Sequence, residues 1–219
     1  MAPDVKRSYD GTARRAASTR TRQRILQAGS DLIVEVGYRT ATIAAIAARA
    51  DVSVATVYEL VGRKPTILRE LIEQAISGTD HAVAADDRDY VRAIAAEPDA
   101  AAKLAVYAAA VTRILQRMAP LFLALRDASS TEPDAQDVWS DISRRRAANM
   151  RRFAAELAAT GQLRRGLHVD DVADVIWATN SAEFYTLLTV ERGWTPPRFQ
   201  TWLTDSWQRM LLEEVHPHS

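Results

Sequence analysis

The chain has no cysteine. This excludes disulfides, thiolate catalysis and cysteine-ligated zinc. Glycine and proline are scarce, with 8 of each in 219 residues. Alanine is abundant instead, and the combination favours helix. Aromatic residues supply only 7% of the chain. No run of eighteen apolar residues occurs, so we expect no membrane span. The first residues also lack the apolar core of a secretory signal. HExxH, GxSxG and phosphate-cradling glycine loops are missing too. His81, His168, His216 and His218 are scattered, and His216-Pro217-His218 reads as a frayed tail rather than a metal site. We therefore expect no catalytic residue, no metal and no cofactor. The expected protein is cytoplasmic and not an enzyme.

What the sequence does have is enough apolar material for a core, with 47% hydrophobic residues. Charge balances at 28 basic against 28 acidic residues, but it is unevenly spread. Lys6, Arg7, Arg14, Arg15, Arg20, Arg22 and Arg24 face only Asp4 and Asp10 in the first 24 residues. A basic arm on an acidic body suits a polyanion at one end. Residues 1–19 read as a disordered arm, and such an arm can enter a DNA minor groove.

The stretch from Thr42 to Lys64 organises the rest. Before it, Ile25, Leu26, Leu32, Ile33 and Val36 form a helical stripe that stops at Gly37, a residue suited to the position after a helix end. Thr42 is then a plausible N-cap. Ile43, Ile46, Ala47 and Ala50 share a face at i, i+3, i+4 and i+7. Asp51-Val52-Ser53 makes a three-residue turn in which Ser53 caps the next helix. Val57, Leu60 and Val61 point inward along that helix, and Gly62 ends it. Two short helices across such a turn are a helix-turn-helix, whose second helix can lie in a major groove. Ala55 and Glu59 point outward, flanked by Thr56 and Tyr58. Hydroxyls there can donate to phosphates, and Lys64 adds a cation. The bland alternative is an ordinary helical hairpin with a polar surface.

Residues 20–76 resemble the TetR family of transcriptional regulators. The resemblance rests on the helix ending at Gly37, on Thr42-Ile43…Ile46-Ala47…Ala50, on Val52-Ser53, and on Thr56-Val57-Tyr58 with Lys64. It implies backbone contacts from Thr42, Thr56, Tyr58 and Lys64. It implies base reading around Ala44, Val54, Ala55 and Glu59, beside the cap Ser53. Three positions depart from the family pattern. Ala55 replaces a common glycine, Val61 a usual phenylalanine, and Arg63 a small capping residue. Glu59 can accept from cytosine N4 or can simply reject wrong sites, and Val54 can meet only a thymine methyl. The base-reading surface is therefore sparse in polar groups.

Further along, Ile67, Leu68, Leu71, Ile72, Ala75 and Ile76 predict a helix over 64–77. A variable connection over 78–98 follows, then a helix from 99 to 118 broken by Pro120, with a short apolar segment, Leu121–Leu125, beyond it. Trp139, Ile142, Met150, Phe153 and Leu157 stripe a long helix over 134–160. Arg146 and Asn149 fall on that same face, where polar groups must be paired or must line a cavity. One long helix is expected over 170–192, with apolar residues on two sides. Trp177 and Phe184 lie on one of them, and Glu183 interrupts the other. A last helix starts at Thr195-Pro196-Pro197.

The expected fold is all-α. Residues 20–77 form a three-helix DNA-binding domain with the helix-turn-helix, and residues 78–219 form a helical ligand-binding and dimerisation domain. Met118, Phe122, Trp139, Arg146 and Asn149 are candidate ligand contacts, together with Met150, Trp177, Glu183 and Phe184. The expected partners are a double-stranded DNA operator, a small-molecule effector, and a second copy paired through the last two helices, as the resemblance implies. The expected function is a repressor released from a palindromic operator by its ligand. The alternatives are a helical dimeric interaction or ligand-binding module with a degenerate DNA head and, third, an enzyme.

Overall fold

The computed structural model describes residues 9–79 and 83–213. Lys6 and Arg7 of the expected arm, His81, and the His216-Pro217-His218 tail lie outside them. The described residues are helical, with one isolated antiparallel bridge between Leu163 and Leu212. The chain divides into two compact units, Met1–Leu71 and Ile72–Ser219. The division falls inside a helix, rather than after residue 77 as the sequence pattern suggested.

The first unit holds α1 (Tyr9–Thr40), α2 (Ile43–Arg49), α3 (Val54–Leu60) and the start of α4 (Lys64–Ser77). α1 begins at Tyr9, so residues 9–19 are helical rather than a disordered arm. Ala13, Arg14, Arg15, Ala16 and Ala17 are good helix formers with no proline among them, which accounts for the extension. The helix kinks at Gly37, where φ is 80° and a side chain would be strained. Ile25, Leu26, Ile33, Ile46, Val57, Ile67 and Leu68 form the core of this unit, each at most 2% exposed. Burying each such side chain contributes roughly 1.5–3 kcal/mol.

The second unit is built around α6 (Ala100–Ser129), which touches α5 (Asp89–Ala96), α7 (Pro133–Ala159), α9 (Ala182–Thr186) and α10 (Pro196–Leu211). α8 (Val169–Thr179) packs on α7. By length and composition α6 could cross a bilayer, but most of that apolar stretch is buried inside the protein. Pro120 does not break it. The proline lies on the exposed side with Gln116, whose carbonyl loses its helical donor there. Leu121, Phe122 and Leu125, all at most 5% exposed, hold the helix together beyond that point.

The long helix expected over 170–192, by contrast, is interrupted. α8 ends at Thr179, α9 starts at Ala182, and a π turn over Leu187–Glu191 follows. Ser181 Oγ accepts from Phe184 N at 3.2 Å and so caps α9. Asn180, only 4% exposed, spends its side chain on tertiary partners. Asn and Ser compete with helical backbone bonds in this way, and here tertiary partners decide the outcome.

Candidate DNA-binding face and ligand pocket

The first site is built by caps. Thr42 Oγ1 accepts from Ala45 N at 3.1 Å and starts α2. Asp51 turns the chain with φ 52°, a conformation that Asp tolerates better than most residues. Ser53 Oγ accepts from Thr56 N at 3.0 Å and starts α3. Val57, 0% exposed, anchors α3 on the core. Arg49 at the end of α2 holds Glu35 of α1 through two bonds of 2.8 Å. Hydrogen bonding to Arg49 keeps the Glu35 carboxyl below its ordinary pKa, against a small opposing effect of burial. A depressed carboxylate stabilises above the unfolded pKa and loses its contribution as pH falls through the folded one. Because both side chains are exposed, we expect only a minor acid-side change in the melting temperature from Glu35→Gln, checked by melts between pH 3 and 7.

These anchors leave one surface open. Thr42, Ala44, Ser53, Val54, Ala55, Tyr58 and Glu59 are exposed, and Thr56 is half-buried. Val54 and Tyr58 are 42% and 52% exposed, unusually high for apolar and aromatic side chains in so small a unit. Lys64 is placed differently. Its Nζ donates to Tyr38 O at 2.8 Å and stands 4.1 Å from the Tyr38 ring centroid. Part of its role is thus to tie the start of α4 to the kinked end of α1. Removing the cap oxygen of Ser53 should cost about 1 kcal/mol. Urea denaturation of Ser53→Ala checks this.

The second site lies within the second unit. A cavity of about 170 Å³ is lined by α6, α7 and the 86–94 segment, with Ile76 and Asn180 completing its wall. Of the expected ligand contacts, Met118, Arg146, Asn149 and Met150 line it. Phe122, Trp139, Trp177, Glu183 and Phe184 are not among its lining residues. Phe122 is fully buried against Trp139, with centroids 4.6 Å apart. Phe184 stacks on Trp202 at 5.4 Å. Glu183 pairs with Arg126 at 2.5 Å, not with Arg146. Because the chain breaks at Asn180-Ser181, Trp177 and Phe184 do not share the helix face that one continuous helix would give them.

Arg146 is held by its neighbours' polar atoms. Its Nη2 donates to Asn180 Oδ1 at 2.6 Å and to Trp177 O at 3.2 Å. Asn180 Nδ2 donates in turn to Tyr107 Oη at 2.8 Å, and Tyr107 Oη donates to Met150 Sδ at 3.3 Å. The guanidinium lies 5.7 Å from the Phe122 ring and 5.2 Å from the Trp177 ring. Burial lowers the pKa of Arg146, with the Tyr107 and Glu183 charges acting the other way. Burial pushes the Tyr107 phenol well up, so it stays a neutral donor. Sequence reasoning missed Asn180 and Tyr107. The Asn-Ser pair inside an apolar run was a usable signal for Asn180, whereas Tyr107 sits on α6 with none.

An exposed short helix set across a tight turn from its partner is a helix-turn-helix, the DNA-binding class defined by this geometry. Residues 25–71 match the family model described as bacterial regulatory proteins, tetR family. Those residues therefore form a TetR-type DNA-binding head, and the rest of the described chain is likewise helical. NalD of Pseudomonas aeruginosa, the secondary repressor of the MexAB-OprM multidrug efflux pump, superposes with a TM-score of 0.70 and 17% identity, covering 89% of this chain and 98% of that one. FadR from Bacillus subtilis, solved with stearoyl-CoA, gives 0.67 and 19%, covering 89% and 99%. A protein from Saccharomonospora viridis, solved with choline, gives 0.66 and 22%, covering 88% and 98%. No curated protein matches this chain in sequence.

Proposed function

We propose that the protein is a homodimeric repressor, held on a partly palindromic operator by two copies of α3 and released by a small molecule bound in the second unit. The observation that carries this reading is that one chain has both an open helix-turn-helix face and a cavity with a guanidinium in its wall. The dimer reading draws support from apolar side chains left in water. Trp177, Leu187, Val190 and Met210 are 37%, 47%, 73% and 40% exposed. The ligand acts by binding one conformation of the dimer better than the other, which alters the match to half-site spacing. It acts as a regulator rather than an enzyme, and its DNA partner places it in the cytoplasm.

Gel shifts against the promoter region of its own gene test the reading, with light scattering for the dimer. Binding should weaken steeply with salt. Tyr58→Phe should weaken it by about 1 kcal/mol through a lost phosphate hydrogen bond. Lys64→Ala should lower the salt slope by about one. If Lys64 serves only Tyr38, that variant melts earlier while its slope is unchanged. Absence of any sequence-dependent shift would overturn the regulator reading.

A further inference from the structure

The charges around the cavity are paired, with one exception. Arg152 Nη1 lies 3.2 Å from Asp86, and Arg88 Nη2 lies 4.0 Å from Glu73. Glu156 lies 3.9 Å from the buried Lys103. Among the described residues, no carboxylate comes within ion-pair distance of Arg146. A guanidinium has five N–H groups. Both bonds that Arg146 makes use Nη2, which leaves those on Nε and Nη1 uncommitted among the described residues. No fully buried side-chain nitrogen among the described residues lacks a partner, so these groups keep some solvent access, and Arg146 lines the cavity. Beside them, Asn149 Oδ1 accepts from Arg152 at 3.0 Å, leaving its amide N–H groups as further donors. The rest of the wall is apolar, including Val111, Ile114, Leu115, Met118 and Phe153.

We infer that the effector is an organic carboxylate with a compact apolar body, its anion bound by Arg146 and Asn149 and its body seated against α6 and Phe153. The inference rests on the reading of this cavity as the effector site. Size sets the body: a dry cavity of about 150 Å³ accepts benzene, so a volume of about 170 Å³ fits roughly six to eight carbon atoms. A second cavity, also lined by Arg146 and Asn149, gives the carboxylate end room. Asn180 is a positioning residue, because its bond holds Nη2 and leaves Nε and Nη1 for the ligand. A cationic ligand is disfavoured. The guanidinium would repel it, Asp86 and Glu156 are already neutralised, and Tyr107 is already engaged by Trp207, stacked at 5.6 Å, and by Phe153 at 4.8 Å.

Thermal shift and calorimetry on the full chain test this with octanoate, 1-octanol, octylammonium and choline. Octanoate should raise the melting temperature in a saturable way, and the other three should not. Arg146→Gln should weaken octanoate roughly 10- to 100-fold, the loss of a charge-assisted contact. Since Gln also disturbs the Asn180 network, Asn149→Ala is the second variant, expected to weaken octanoate roughly 3- to 10-fold while the unliganded melting temperature is kept. Stabilisation by choline or octylammonium but not by octanoate would overturn the inference. So would equal binding of octanol and octanoate, or octanoate binding unchanged in both variants. The two readings fail separately. Octanoate binding by a protein that shifts no DNA supports the ligand class and removes the repressor. Operator release by a neutral compound without carboxylate binding keeps the repressor and overturns the ligand class.

Discussion

Trp207→Ala should destabilise the second unit by about 4 kcal/mol, the upper range for emptying a large aromatic site. Trp207 is 0% exposed on α10. Its ring stacks on Tyr107 at an interplanar angle of 14°. Its Nε1 donates to Thr179 Oγ1 at 2.8 Å, so one side chain ties α10 to both α6 and α8. Two costs therefore add, the cavity and the lost indole hydrogen bond, while Thr179 Oγ1 keeps its own bond to Val175 O at 2.7 Å. Trp207→Phe separates them. It keeps most of the packing and loses the hydrogen bond, at about 1–2 kcal/mol. Urea denaturation followed by far-UV circular dichroism reads both variants. A loss under about 1 kcal/mol for the alanine variant would mean that the pocket's back wall does not depend on this ring. Because Tyr107 orients Asn180, and Asn180 orients Arg146, octanoate affinity should fall in Trp207→Ala as well.

Gly29→Leu should cost the head about 3 kcal/mol, the upper end for overpacking a filled core. A Cβ at residue 29 would sit 2.9 Å from Ile67 Cγ2, with Ile46 Cδ1 at 3.8 Å and Leu71 Cδ1 at 3.9 Å. Ile67 is 0% exposed on α4, and its β-branched side chain is stiff at χ1. α1 and α4 must separate, and the seat of α2 and α3 goes with them. Gly29→Ala meets the same methyl, but it recovers about 1 kcal/mol of helix propensity, so its net loss should be near 1 kcal/mol or less. Thermal melts should order the variants wild type, alanine, leucine, and operator binding should fall in the same order. A leucine variant that melts like the wild type would show that the contact yields without cost.

Gly29 also shows what a sequence can signal without naming the cause. A glycine inside a helix gives up about 1 kcal/mol, so its presence between Ala28 and Ser30 marks a close approach. Only the packed structure identifies Ile67 as the neighbour. The helix-turn-helix was the most legible part of the chain. Thr42 and Ser53 cap where their positions implied, Val57 is buried, and Val54, Ala55, Tyr58 and Glu59 are exposed. Caps and short-period stripes act over three or four residues, so local pattern carries them. Lys64 shows the limit of that logic. Its charge was evident, but Tyr38, its partner 26 positions away, was not.

The body was legible as helices and only in part as a site. Arg146 and Asn149 on an apolar face pointed to a cavity, and both line one. None of the four aromatic residues expected beside them lines it, and the chain passed over Pro120 but broke at Asn180. Those two outcomes turn on tertiary energies. Pro120 sits at the exposed surface, where a freed carbonyl finds water, and buried leucines keep the helix going. Asn180 finds Tyr107 and Arg146, and those bonds outweigh continuation of α8. By itself, the sequence determined the all-helical class, the DNA-binding head and its caps, because these follow from residues close in the chain. Only the tertiary structure decided which polar side chains converge, and so which guanidinium is left with free N–H groups, because that depends on partners 31–73 positions apart.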